Sequence, residues 1–164
     1  MAEHRLLLLR HAQAADYASG VKDHERPLTD FGIEQATAVG GAIRARGLTI
    51  DRVLCSSATR TRQTGNALAL DAPIEYSDAL YNAGSDAILD EIRLFDEKIG
   101  TALVIGHGPG LPGLASLLAG PGSDAFSLDF VISRYPVATL SEFEIDTTWA
   151  DLHVARLVHL RPGS

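Results

Sequence analysis

Cysteine is all but absent from this chain of 164 residues, with Cys55 standing alone. A single cysteine excludes an intrachain disulfide and suits a reducing compartment. Long apolar runs are missing too. The run Leu6 to Leu9 is cut off by Arg10 and His11; it is too short for the apolar stretch of a signal peptide, and nothing approaches the ~20 apolar residues of a membrane span. The expectation is a cytoplasmic protein with no membrane contact. Positive charge is scarce as well: 14 Lys and Arg face 21 Asp and Glu, for a formal charge of −7. No basic footprint points to nucleic acid as a ligand. A phosphorylated ligand would require the few cations to be gathered in one place. What remains is ordinary for a globular chain, with 46% hydrophobic and 21% charged residues. Its length suits one domain, residues 1–164, able to bury a sizeable core.

Strand-like and helix-like segments alternate. Arg5 to Leu9 reads as a buried strand, and residues 11–28 as a polar loop. Thr29 is placed to cap a helix, with Asp30 in its first turn and Ile33, Ala36, Val39, Gly40 and Ile43 along it, ending near Gly47. Arg52 to Cys55 is a second strand, and Ser57 or Thr59 could cap the helix that follows, through Thr64 to Leu70. Pro73 to Tyr76 suits a short strand, and residues 85–98 carry Ile88, Leu89, Ile92 and Phe95 at helical spacing. Thr101 to Gly106 is the clearest strand, followed by a buried helix from Leu111 to Leu118. Two β-rich segments, Pro136–Ile145 and Leu152–Leu160, close the chain around a turn at 146–150. The alternation predicts a layered α/β domain with a mainly parallel sheet.

In such sheets ligands bind beyond the carboxyl ends of the strands. The first strand ends in Arg10-His11, the second in Ser56-Ser57-Ala58-Thr59-Arg60, and the third in Gly106-His107. Taken singly, a histidine there is more often a satisfied polar group. Three such ends on neighbouring parallel strands would bring two imidazoles and two guanidiniums to one spot. Arginine suits phosphate because its planar fork donates paired hydrogen bonds and stays charged. A neutral imidazole beside it can attack phosphorus and carry the phosphoryl group.

These blocks resemble the signature of the histidine phosphatase superfamily, which includes the cofactor-dependent phosphoglycerate mutases. Leu-Leu-Leu-Arg10-His11-Ala12, the segment from Ser56 to Thr64 with its Gln63-Thr64 pair, and Val104 to Gly110 match in order and spacing. Asp23-His24-Glu25-Arg26-Pro27-Leu28-Thr29, followed by Gly32, resembles the short branch containing the SixA-type phosphohistidine phosphatases. The resemblance implies a three-layer α/β/α domain of the phosphoglycerate mutase kind, working without metal or other cofactor. It implies His11 as the nucleophile, with Arg10, Arg60 and His107 binding the phosphate and stabilising charge on the transferring group. Arg62 is expected to point away along the helix as a surface residue. His4, His153 and His159 are read as structural or surface residues, and His24 as a possible border of the pocket.

In the mutase-like relatives a glutamate protonates the leaving oxygen, from the region after the middle strand. The corresponding stretch here, Asp78 to Asp86, has no glutamate. Asp16, Asp23 or Asp86 could substitute, or no protein acid could act at all. The gap fits a phosphohistidine substrate, because a departing imidazole is protonated more easily than an alkoxide. The implied partner is a phosphorylated protein; a small phosphorylated metabolite is the alternative, with pocket loops at residues 12–28, 77–86 and 121–135. Two further readings stand beside it. A thiol phosphatase at Cys55 would need five residues before its arginine, whereas Arg60 and Arg62 follow after four and six. A binding module would use the same pocket without turnover.

Overall fold

Four consecutive leucines suit a strand covered on both faces. A computed structural model, which describes residues 2–163, places Leu6 to Leu9 in such a strand, β1 (His4–Arg10), with all four fully buried. Leu6 and Leu8 face one core with Ile88, Ile92, Leu114 and Leu118. Leu7 and Leu9 face the other with Val39, Ile43 and Leu68. Truncating any of them should destabilise the fold by about 2–5 kcal/mol.

The other strands and α-helices are α1 (Asp30–Ala45), β2 (Arg52–Ser56), α2 (Thr59–Leu68), β3 (Ile74–Ser77), α3 (Ser85–Ile92), β4 (Thr101–Gly106), α4 (Gly110–Leu118), α5 (Ala125–Ser133), β5 (Leu140–Ile145) and β6 (Arg156–Arg161), with short 3-10 turns at Asp23–Glu25 and Asp78–Leu80. The strands form one sheet in the order β3-β2-β4-β1-β5-β6. The first four are mutually parallel; β5 runs antiparallel to β1, and β6 to β5. Helices α1 and α2 cover one face, α3 and α4 the other, with α5 against α4. The result is the expected three-layer α/β/α arrangement with a mostly parallel sheet. Among the described residues no helix is long and apolar enough to cross a membrane.

Thr29 caps α1 by accepting from the Gly32 amide at 3.0 Å. A Cβ on Gly32 would lie 2.1 Å from the Gln13 carbonyl oxygen, so glycine lets the first turn of α1 press onto the loop leaving β1. Its buried face runs through Ala36, Val39, Gly40 and Ile43.

Several local expectations are corrected. Neither Ser57 nor Thr59 caps α2: Ala58 occupies the cap position without a side-chain bond, and the Ser57 hydroxyl is engaged by His24 at 3.0 Å. Helix α3 stops at Ile92, before Phe95; soon after, Asp96 Oδ1 accepts from the Lys98 amide at 2.8 Å, a local turn that competes with helix. Residues 121–135, expected as a loop, contain α5, capped by Asp124 accepting from the Ser127 amide at 2.9 Å. The last two strands begin later than expected, at Leu140 and Arg156.

Candidate active site

The register of the sheet sets the geometry of the site. Arg10 pairs with Gly106, and Cys55 with Ile105. The residues that follow β1, β2 and β4 therefore emerge side by side. The His11 amide donates to the Gly106 carbonyl at 3.0 Å, and the Arg10 and His11 carbonyls both accept from the Ala138 amide. Gln63 and Thr64 on α2 hold the loop after β1: Thr64 Oγ1 accepts from the Ala12 amide at 3.1 Å, and Gln63 Oε1 from the Leu28 amide at 2.7 Å. The Gln-Thr pair is thus a brace between α2 and the loop.

Arg10, His11, Arg60 and His107 come together in a cleft of about 400 Å³, joined by Arg26 and Asp23. The ring centroids of His11 and His107 lie 5.3 Å apart. His11 Nδ1 is 2.7 Å from the Ala12 carbonyl oxygen, which can only accept. Nδ1 therefore carries the proton of the neutral ring, and Nε2 holds the free lone pair. Burial, followed by the neighbouring Arg60, Arg10 and Arg26, pushes the His11 pKa down to about 4 against the pull of the Ala12 bond. Burial first, then His11 and Arg60, takes His107 down to about 3. Both imidazoles are neutral at pH 7. His107 Nε2 is 2.7 Å from Ser56 Oγ.

The guanidiniums are anchored from behind. Arg10 donates to the Tyr135 carbonyl at 2.8 Å. Arg60 donates to the Asp23 carbonyl at 2.8 Å and to its carboxylate at 3.2 Å. Arg26 bonds Asp23 at 3.0 Å and the Ala15 carbonyl at 2.8 Å, and lies over the Tyr17 ring. Among the described residues the Nε atoms of Arg10 and Arg60 and Nδ1 of His107 are buried without a hydrogen-bond partner. A Cβ on Gly108 would sit 3.1 Å from Arg10 Cζ, so glycine leaves that guanidinium its room.

Asp23 is the only acidic residue lining the cleft among the described residues. The Tyr81 hydroxyl donates to its carboxylate. That bond first, and then Arg26 and Arg60, hold its pKa well below the usual carboxylate range. Asp16 and Asp86 are exposed and do not line the cleft. His24 stands at the rim, edge-on to Tyr81 at 4.8 Å. Arg62 is exposed; it bonds the Ser57 carbonyl and covers Tyr76. Cys55 is buried, which pushes its thiol up to about 12; it has no thiolate to offer. Sequence reasoning left Arg26 and Tyr81 without roles. Arg26 was findable, since it sits inside the Asp23–Thr29 block.

Among the described residues, the group close enough to hold a metal ion is Glu3, His4 and Glu97. It lies at the other end of β1, where His4 bonds Glu97 at 2.8 Å and stacks on Trp149.

Residues 6–85 match the sequence profile of the histidine phosphatase superfamily, branch 1. An uncharacterised protein of Mycobacterium tuberculosis is 38% identical over 145 residues, covering 88% of this chain and 91% of its own. The structure superposes on that of a candidate phosphohistidine phosphatase SixA from Nakamurella multipartitia with TM-score 0.86 and 36% identity, over 98% of this chain and 96% of that one. A second SixA candidate, from Agrobacterium tumefaciens, superposes with TM-score 0.83 and 27% identity, over 97% and 98%. Fold and family together define a phosphatase-type hydrolase. The chain belongs to the histidine phosphatase superfamily, and its structural neighbours are of the SixA kind.

Proposed function

We propose that this protein is a cytoplasmic, metal-independent phosphohistidine phosphatase acting on a phosphorylated protein, with His11 as its nucleophile. His11 Nε2 attacks phosphorus, and the bond from phosphorus to the substrate imidazole breaks with its electron pair returning to that ring. Water then attacks the phosphorylated His11, releasing inorganic phosphate and restoring the free imidazole. Arg10, Arg60 and His107 bind the phosphoryl oxygens, with Arg26 as a third guanidinium at the same cleft. Phosphoryl transfer depends mainly on such positioning and charge stabilisation.

The observation that carries the substrate class is the state of Asp23. Asp23, the one carboxylate lining the cleft among the described residues, is held ionised by Tyr81, Arg26 and Arg60, so it has no proton to give. An alkoxide leaving group needs an acid, whereas the imidazole of a phosphohistidine can be protonated on its other ring nitrogen before the bond breaks and then departs as a neutral ring. The gathering of Arg10, Arg26 and Arg60 around one cleft, in a chain of formal charge −7, supports an anion as the ligand.

The test compares phosphate release from a phosphohistidine-carrying protein and from an aryl phosphate, with EDTA present, for wild type and His11→Ala. Turnover of the phosphohistidine substrate that persists in EDTA and disappears in the variant is the expected result. Turnover of the aryl ester alone would move the substrate to small phosphomonoesters. Undiminished activity in His11→Ala would remove His11 from the mechanism.

A further inference from the structure

Arg10 and Gly108 line two cavities. One is the catalytic cleft; the other is a groove of about 570 Å³ between α4 and the C-terminal end of α5. No acidic residue lines the groove among the described residues, in a chain whose formal charge is −7. Its walls combine Pro109 on one side with Ile132 and Arg134 on the other. Ile132 is 66% exposed, leaving an apolar surface at the groove's edge. The Arg134 guanidinium meets only the Phe130 ring, at 4.9 Å, and has no carboxylate partner among the described residues. Tyr135 fixes the groove to the chemistry. Its hydroxyl donates to the Leu8 carbonyl at 2.9 Å inside β1, and its own carbonyl receives Arg10 at 2.8 Å.

A phosphate with its imidazole can be held by the cleft alone, and each cavity is within the roughly 300–1,000 Å³ of ordinary ligand sites. The adjoining groove is therefore available to whatever continues from the phosphorylated side chain. Resting on the reading of the substrate as a phosphohistidine protein, we infer that this groove is the docking site for the polypeptide segment flanking the phosphorylated residue. Its occupant carries an acidic side chain opposite Arg134 and an apolar one against Ile132. Arg134 and Ile132 are thus specificity determinants outside the catalytic machinery.

The test uses synthetic phosphohistidine peptides of equal length, bearing either Asp or Lys beside the phosphorylated residue, and phosphoimidazole as the small substrate. Wild type is expected to favour the Asp peptide in kcat/KM by about two- to five-fold, the size of an exposed ion pair. Arg134→Glu reverses that preference and Ile132→Ser raises KM for both peptides, while turnover of phosphoimidazole stays unchanged. A reversal of preference is not something a fold defect produces. If wild type hydrolyses both peptides equally and Arg134→Glu changes nothing, the groove assignment falls and the substrate reading stands. Parallel losses on peptides and phosphoimidazole overturn the docking role in favour of a structural one. If wild type turns over aryl phosphate but neither peptide nor phosphoimidazole, the substrate reading fails and takes the groove's occupant with it.

Discussion

Arg60 and Asp23 hold each other across the catalytic cleft, through bonds of 2.8 Å to the Asp23 carbonyl and 3.2 Å to its carboxylate. The carboxylate both orients the guanidinium and competes for it with any incoming anion. Asp23→Asn keeps an acceptor at that position and removes the charge that repels phosphate. Inorganic phosphate should then inhibit more strongly, with Ki lowered roughly tenfold, equivalent to about 1.4 kcal/mol. Competitive inhibition measured on both forms decides the matter; a higher Ki in the variant would mean that orientation of Arg60 outweighs repulsion.

Acid should find the nucleophile late. With the His11 pKa at about 4, its ring stays neutral well below the ordinary value of about 6.5, and kcat/KM should hold until the pH approaches that lower value. An NMR titration of the His11 ring separates this from ionisation of the substrate. A midpoint near 6.5 would contradict the buried, neutral ring.

The same depression has a cost in stability. Unfolded, both histidines take up protons near pH 6.5; folded, His11 and His107 resist until about 4 and about 3. The unfolded chain thus binds more protons in that window, so stability falls as pH drops through it, by at most roughly 1.4 kcal/mol per pH unit per histidine. Urea unfolding between pH 7 and 4 should show the loss, and a His11→Asn variant should show less of it.

Thr64 is a small residue with a large hold on the site. Its hydroxyl accepts from the buried Ala12 amide and donates to the Arg60 carbonyl. Thr64→Val keeps the shape and leaves that amide unpaired, an expected destabilisation of about 1–3 kcal/mol. Urea midpoints measure the loss, and kcat should fall with it because the Ala12 carbonyl also accepts the hydrogen bond from His11 Nδ1. Unchanged values would show that water replaces the hydroxyl.

Cys55 should be silent. Its thiol is buried and held up at about 12, and thiolate is the reactive form. Cys55→Ser should retain turnover, and iodoacetamide should not inactivate the native protein. Rapid inactivation in wild type that the variant escapes would reopen a role for this residue.

Much of the site was legible because strand ends are. The apolar runs of β1, β2 and β4 stop at charged or polar residues, and parallel pairing in register carries those stops to one edge. The companions of these residues were harder to read. Tyr81 reaches Asp23 across 58 positions, a contact no local pattern encodes. Helix α5 was hidden for a different reason: only Ser127 and Val131 are buried on it, while Phe126 and Ile132 face outward, so it shows no apolar stripe of period 3.6. The α2 cap was misassigned because Ser57 is drawn to His24, a partner 33 residues away.

Two hydrophobic cores meet on β1, and His11 is the next residue after that strand. Backbone amides of such a strand exchange with solvent only when the whole molecule opens. Deuterium should therefore enter Leu7 to Leu9 last, while the exposed stretch from Tyr17 to Lys22 exchanges early. The reacting nitrogen is thus tethered to the part of the protein expected to open last. Heat or denaturant should then abolish activity through a single cooperative transition, since the nucleophile has no way to drift out of place while the sheet stands.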